Sequence, residues 1–269
     1  MRKELVLVMC LILSGIFFPA CAKAGDGKIT VTILYDNNAF APGTEGDWGF
    51  SCLVEGTEKT ILFDAGTNPE VFFRNLEALG VDLSEVDLVV ISHEHGDHTG
   101  ALAQVLEQNR GLTVYHPVSF SRQFVSSVPQ AGATSAPVTE PVEIIDDVYL
   151  TGEMGGDIKE QSLILRTGDG LVVITGCSHP GIVEILERTK QILDEEIFMV
   201  FGGFHLLRHS EDETVEIIEG FKRLGVEKCG ATHCTGDRQI AAFQDAYGEN
   251  FAAMGAGRVL TFTAALGRH

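Results

Sequence analysis

The alternation of apolar and polar positions predicts strands first, then strand–helix units, and then the same order again. Residues 29–35 alternate and are β-branched, which predicts a strand. Residues 50–55 and 59–63 read as paired strands around Gly56-Thr57. Residues 69–79 place Val71, Phe72, Leu76 and Leu79 on one helical face. Residues 86–91 are apolar except for Asp87, the pattern of a strand covered on both faces. A helix over 99–108 and a strand over 112–115 follow. Strands over 142–151, 162–166 and 171–175, a helix over 181–195 and a strand over 197–201 come next. Helices over 214–224 and 240–247 and a strand over 258–262 close the chain. Between these elements, residues 37–49 form a polar, Gly-rich loop that holds the sole tryptophan, Trp48. Residues 126–141 turn to Ser, Pro, Ala, Thr and Gly and predict a long loop, either a substrate wall or an exposed insertion. No composition shift marks a second domain, so the series predicts two similar halves, each a sheet with helices on one face.

Composition narrows the partners. The 269 residues are 45 % hydrophobic and 21 % charged, the profile of a folded chain long enough to bury a sizeable core. There are 38 acidic against 19 basic side chains, a formal net charge of −19. That balance argues against an extended nucleic-acid surface and against adhesion to anionic lipid through a polybasic patch. It leaves a small molecule as the expected partner, and oligomeric state open.

The first 24 residues have the layout of an export signal: Arg2 and Lys3, an apolar run over 5–18, then small residues. Fourteen apolar residues are too few to span a bilayer but suit a signal core. Two cleavages compete. Phe18-Pro19-Ala20-Cys21 resembles a bacterial lipobox, which would leave Cys21 acylated as a membrane anchor. Ala22-Lys23-Ala24 would instead release a soluble periplasmic chain. The expected mature protein is one domain over 25–269. Its Cys52, Cys177, Cys229 and Cys234 are not spaced as a small-protein disulfide framework, although Cys229 and Cys234 could pair in an oxidising compartment.

The chemistry concentrates in His93-Glu94-His95-Gly96-Asp97-His98, directly after the buried strand. Imidazole suits zinc and other borderline divalent ions, and a carboxylate adds charge. His93 and His95 alternate on extended backbone and can point to one face. Asp97 and His98 lie past Gly96, where the chain turns, and can face a second ion. No Ser-His-Asp arrangement, P-loop or dinucleotide fingerprint accompanies them.

Phe63-Asp64-Ala65-Gly66, the HxHxDH run, Thr175-Gly176-Cys177-Ser178-His179, Gly202-Gly203-Phe204-His205 and Thr232-His233-Cys234-Thr235-Gly236 together resemble the metallo-β-lactamase-fold hydrolase superfamily. The last three motifs look like its branch of 7,8-dihydropterin-6-yl-methyl-4-(β-D-ribofuranosyl)aminobenzene-5′-phosphate synthase-like proteins. The resemblance implies an α/β (α+β) fold, a four-layer αββα sandwich with two divalent ions, zinc first and manganese or iron as alternatives. It implies His93 and His95 as ligands of one ion, Asp97 and His98 of the other, and His233 as a late-strand ligand. The histidine usually found in a loop before the strand at Ser162 is missing, since Asp157-Ile158-Lys159-Glu160-Gln161 stands there. His179 is the candidate to replace it, and Cys177 falls at a bridging-ligand position, with a small buried residue as the alternative reading.

The chemistry so implied is hydrolysis of a small ester, phosphoester or similar substrate by a metal-bound hydroxide. Asp97 would orient the water and His205 would protonate a leaving group, unless His205 only closes a structural hydrogen bond. Asp64 would support a ligand from behind or simply end a turn. His116 reads as structural, and His209 and His269 as surface residues. Two other functions compete: synthase-type transfer between a ribosyl phosphate and an aminobenzoate, and non-catalytic metal or ligand binding. A diiron redox role is a further alternative; the related redox branch carries Glu where this chain has His95.

Overall fold

The computed structural model describes residues 27–265, so the expectations for the export segment, Cys21 and His269 fall outside the described residues. The strands are β1 (Lys28–Tyr35), β2 (Ser51–Glu55), β3 (Ile61–Phe63), β4 (Leu88–Val90), β5 (Thr113–Pro117), β6 (Thr134–Val138), β7 (Val142–Ile145), β8 (Val148–Leu150), β9 (Leu163–Thr167), β10 (Gly170–Thr175), β11 (Ile197–Gly203), β12 (Lys228–Thr232) and β13 (Val259–Thr263). The helices are α1 (Pro69–Leu79), α2 (Gly96–Thr99), α3 (Leu102–Gln108), α4 (Arg122–Gln130), α5 (Ile182–Ile192), α6 (Glu211–Arg223) and α7 (Asp237–Tyr247). They build a seven-stranded sheet, β13-β1-β2-β3-β4-β5-β6, and a six-stranded sheet, β12-β11-β10-β9-β8-β7.

The period of two along each strand sorts the apolar side chains into layers. In β2 and β3, Cys52, Val54, Ile61 and Phe63 face the second sheet, where they meet Leu163, Val172, Ile174 and Phe201. Their neighbours Leu53 and Leu62 face the other way, against Val71 and Phe72 of α1 and Leu102 and Val105 of α3. On the far side, Val173 and Val200 pack against Ile185 of α5, Ile218 and Phe221 of α6 and Phe243 of α7. Helix, sheet, sheet and helix form the expected four layers.

Three local readings change. Residues 126–138 are not a loop: they complete α4 and form β6. Both prolines are tolerated there for positional reasons. Pro129 sits in the last turn of α4, where little helix remains to disrupt, and Pro137 lies on an edge strand. The stretch 142–151 is a hairpin rather than one strand, because Ile145 pairs with Val148 around Asp146-Asp147 and Asp147 takes φ +63°. Cys229 and Cys234 are free buried thiols, Cys229 in β12 against the outer core and Cys234 in the turn beyond it.

Strands β3, β4 and β5 run parallel, as do β10, β11 and β12. The carboxyl ends of β3, β4, β10, β11 and β12 deliver Asp64, His93, Cys177, His205 and His233 to one edge of the sandwich.

Candidate metal centre

Each side chain at this edge is placed by a strand that stops. β4 ends at Val90, and the extended segment that follows presents His93 and His95 before α2 begins. Four of the five non-glycine residues with positive φ among the described residues ring the site: Asp64 at 56°, Ser178 at 64°, His205 at 56° and His233 at 50°. Such conformations cost energy and persist where the surroundings over-determine them. Gly176 is required by close approach, since a Cβ there would lie 2.1 Å from Ser92 Oγ.

Among the described residues the donors fall into three groups: two adjoin at the HxHxDH run, and a third, Cys177, His205 and Cys234, shares Cys177 with one of them. His93, His95 and His179 form the first; Asp97, His98, Cys177 and His233 form the second; within each, every donor atom lies within 4.8 Å of the rest. In the first group His93 Nε2 is 3.1 Å from His95 Nδ1, and the His179 ring centroid is 4.8 Å from that of His93. In the second, His98 Nε2 is 3.2 Å from Cys177 Sγ and 3.2 Å from His233 Nε2. His233 Nε2 lies 3.4 Å from Asp97 Oδ2.

The outer contacts decide where the protons sit. His98 Nδ1 donates to Asp64 Oδ2 at 2.6 Å. Asp64 is fixed in turn by the Ser92 amide and hydroxyl, each at 2.7 Å. His233 Nδ1 donates to Asn37 Oδ1 at 3.0 Å, and the Asn37 amide is oriented by donating Nδ2–H to the His233 carbonyl at 3.1 Å. With both Nδ1 atoms protonated, the two neutral imidazoles point Nε2 lone pairs at each other. That arrangement is repulsive alone and is relieved by a cation between them. His179 Nε2 is likewise buried with no hydrogen-bond partner. The residues therefore fit divalent ions by their own chemistry.

Electrostatics keep the first group's rings neutral and favour positive charge within the second. Burial, reinforced by His98 and His179, drives the His93 pKa well below the usual histidine range. Burial and then His205 lower His179 to about 3, so both rings stay neutral, the form that ligates. Burial opposes charge on Asp97, but His233 and the proximity of His98 outweigh it and hold the carboxyl below its ordinary range; without an ion, a proton on His233 Nε2, 3.4 Å from Asp97 Oδ2, takes the place the cation would fill. Burial also works against protonated His98, yet Asp64 raises its pKa overall.

A cavity of about 550 Å³ opens beside the first group. Its floor is His95, His179 and His205, and its wall includes Trp48, Ile158, Leu207 and Arg208. His205 is exposed, with its ring 4.2 Å from that of His179. Trp48 Nε1 donates to Asp97 Oδ2 at 2.8 Å while its ring lies 4.8 Å from that of His233. His209 is half-buried in the same cavity and is not a plain surface residue. His116 stands apart, buried and bonded to Ser135 Oγ at 2.7 Å.

The sequence profile of the metallo-β-lactamase superfamily matches residues 49–180. The crystal structure of Tm1679, a metal-dependent hydrolase of the β-lactamase superfamily, superposes with a TM-score of 0.73 at 33 % identity, covering 86 % of this chain and 98 % of that one. The chain belongs to the metallo-β-lactamase superfamily. A curated relative is the 7,8-dihydropterin-6-methyl-4-(β-D-ribofuranosyl)-aminobenzene-5′-phosphate synthase of Methanocaldococcus jannaschii, 27 % identical over 263 residues, 80 % of this chain and 90 % of that protein. The structure of a diphosphatase from the PhnP family shares the fold, with a TM-score of 0.61, 16 % identity and coverage of 89 % of this chain and 99 % of that one.

Within this metallo-β-lactamase fold, every residue singled out in the described sequence motifs reaches the same edge: His93, His95, Asp97, His98, Cys177, His179, His205 and His233. Asp64 stands directly behind His98. Pattern reading did not find Asn37, Ser92, Glu160 or the cavity wall. Trp48 carried a faint signal as the sole tryptophan in a Gly-rich loop. Asn37 carried none, because it meets His233 across 196 residues.

Proposed function

We propose that this protein is a dinuclear metal-dependent hydrolase acting on a small ester, phosphoester or related substrate. The observation that carries the reading is the pair of adjoining groups whose donor atoms lie within 4.8 Å of one another. His93, His95 and His179 would hold one divalent ion, and Asp97, His98 and His233 the other, with Cys177 beside the second. Zinc suits the imidazole-rich set best. Two such ions would supply Lewis acidity and activation of water at neutral pH.

The chain's own groups do the rest. Asp97, aimed by Trp48, can accept a hydrogen bond from the attacking water and orient it. His205 faces the cavity within reach of a leaving group, and its hydrogen bond to Cys234 raises its pKa against the effect of burial, which favours a proton donor. Trp48, Ile158 and Leu207, all well exposed, offer an apolar wall to the non-reacting part of a substrate. The net charge of −19 supports a small molecule over a nucleic acid. Residues 1–24 support export, with Cys21 as an acylation site.

The test is a panel of phosphodiesters, lactones, thioesters and β-lactams assayed with and without chelator, beside metal analysis of the purified protein. Chelator-sensitive turnover and about two zinc equivalents are expected. Two irons with visible absorbance, or no turnover of any compound, would sink the hydrolase reading. The Methanocaldococcus relative favours one other reading, synthase-type transfer, and product formation from a ribosyl phosphate and an aminobenzoate would establish that instead.

A further inference from the structure

The turn Cys177-Ser178-His179 carries two of the candidate donors, and its backbone has an unusual shape. Ser178 takes φ +64°, so three successive N–H groups point toward one spot. Successive amides around a left-handed residue make a concavity that binds anions. This one holds the carboxylate of Glu160, a fully buried side chain. Glu160 Oε1 accepts from Cys177 N at 2.9 Å and Ser178 N at 2.8 Å, and Oε2 accepts from His179 N at 2.8 Å.

The segment bearing Glu160 is fastened to the other sheet. Gln161 N donates to Ser92 O and Gln161 Nε2 to Ile91 O, each at 2.9 Å. Ile91 and Ser92 lead directly into His93. Glu160-Gln161 thus ties the strand exit that delivers His93 and His95 to the turn that delivers His179. The His179 ring has no hydrogen bond at its buried Nε2 to fix it, so its place follows from the backbone.

We infer that Glu160 is a positioning residue for the metal centre: its carboxylate fills the amide concavity of residues 177–179 and so sets His179 against His93 and His95. The inference rests on the reading of those three histidines as one metal site. A fixed carboxylate matches all three amide donors, whereas a glutamine would turn its own N–H₂ toward at least one of them. Aspartate keeps the charge but falls short by one methylene, about 1.5 Å, and cannot meet all three amides.

The test is competition titration of the full chain with Zn²⁺ against a chromophoric chelator after removal of bound metal. The parent, Glu160→Gln, Glu160→Asp and His179→Ala are compared, and thermal melts in chelator report on folding. The parent is expected to take two equivalents. Glu160→Gln should weaken one of them tenfold or more, as His179→Ala does, and leave the other within about twofold. Glu160→Asp should fall between, and it carries the test alone if the glutamine variant does not fold. Either folded variant binding both equivalents like the parent would overturn the proposal. So would an equal loss at both sites, which is the mark of general loosening. A parent that takes up no zinc would instead overturn the metal-centre reading itself.

Discussion

Asp64 shows how much one side chain can decide here. It receives both groups of Ser92 and orients His98, and it is completely buried. Asp64→Asn removes the charge and presents an N–H₂ where an acceptor is needed, so His98 loses its fixed tautomer. Zinc affinity should fall 10- to 100-fold in a competition titration; affinity within twofold of the parent would show that His98 needs no such support. A second residue-scale prediction concerns Tyr35, whose hydroxyl donates to Asp47. Burial first, and then Asp47, push its pKa up to about 12 from the usual 10. The folded state keeps a proton that the unfolded state releases, so this contribution is whole below pH 10 and is lost as pH rises toward 12. Phenolate absorbance in the parent minus Tyr35→Phe should titrate near pH 12, and a midpoint near 10 would contradict it. The difference between such residues and the HxHxDH run explains what the sequence could tell. His93, His95, Asp97 and His98 fall within six consecutive residues, and their spacing alone forms a pattern. Glu160 is legible only as an acid where a histidine was expected, because its partners are backbone amides, which have no sequence signature.

Among the elements, the short α2 and the helix after it depend on how closely the chain can pass itself. Gly100 follows α2, and a Cβ there would lie 1.9 Å from Thr67 O and 2.5 Å from Thr67 C, both backbone atoms. The contact is held by hydrogen bonds from Gly100 N to Gly66 O at 2.8 Å and Ala101 N to Ala65 O at 3.1 Å. These bonds tie the loop bearing Asp64 to the helix bearing His98. Gly100→Ala should therefore cost more than about 3 kcal/mol in denaturant unfolding, beyond an ordinary helix substitution. A loss below about 1 kcal/mol would mean that the two loops can separate freely. Elements whose periodicity reflected burial, such as α1 and β2 to β4, were legible in the sequence. Those governed by edge position were not. α4 and β6 look like a loop because Ser, Thr and Pro are frequent in loops, and composition does not reveal that Pro137 sits on a sheet edge with no ladder bond to give.

At the scale of the molecule, two sheets must meet for either donor group that includes the HxHxDH run to be complete. His93, His95, Asp97 and His98 come from the first sheet's side, while Cys177, His179 and His233 come from the second. Ions held there would cross-link the two halves of the sandwich, so metal binding and folding are coupled. An ion at a thousand times its dissociation constant stabilises the folded chain by about 4 kcal/mol. For a protein of this length each kcal/mol moves the melting point by roughly 2–4 °C. Removing the metal should therefore lower the melting temperature by roughly 10 °C for one tightly held ion. The same cross-link makes the effect specific: His93→Ala combined with His98→Ala should melt near the chelated parent and respond little to chelator. Calorimetric scans of the parent and double variant, each with and without chelator, separate the cases. If chelator lowers both proteins equally, the stabilising metal is not held by these histidines. If it lowers only the parent, the ions bridge the sheets through them, and their charge would offset within that cleft the excess of carboxylates that gives the chain its net −19.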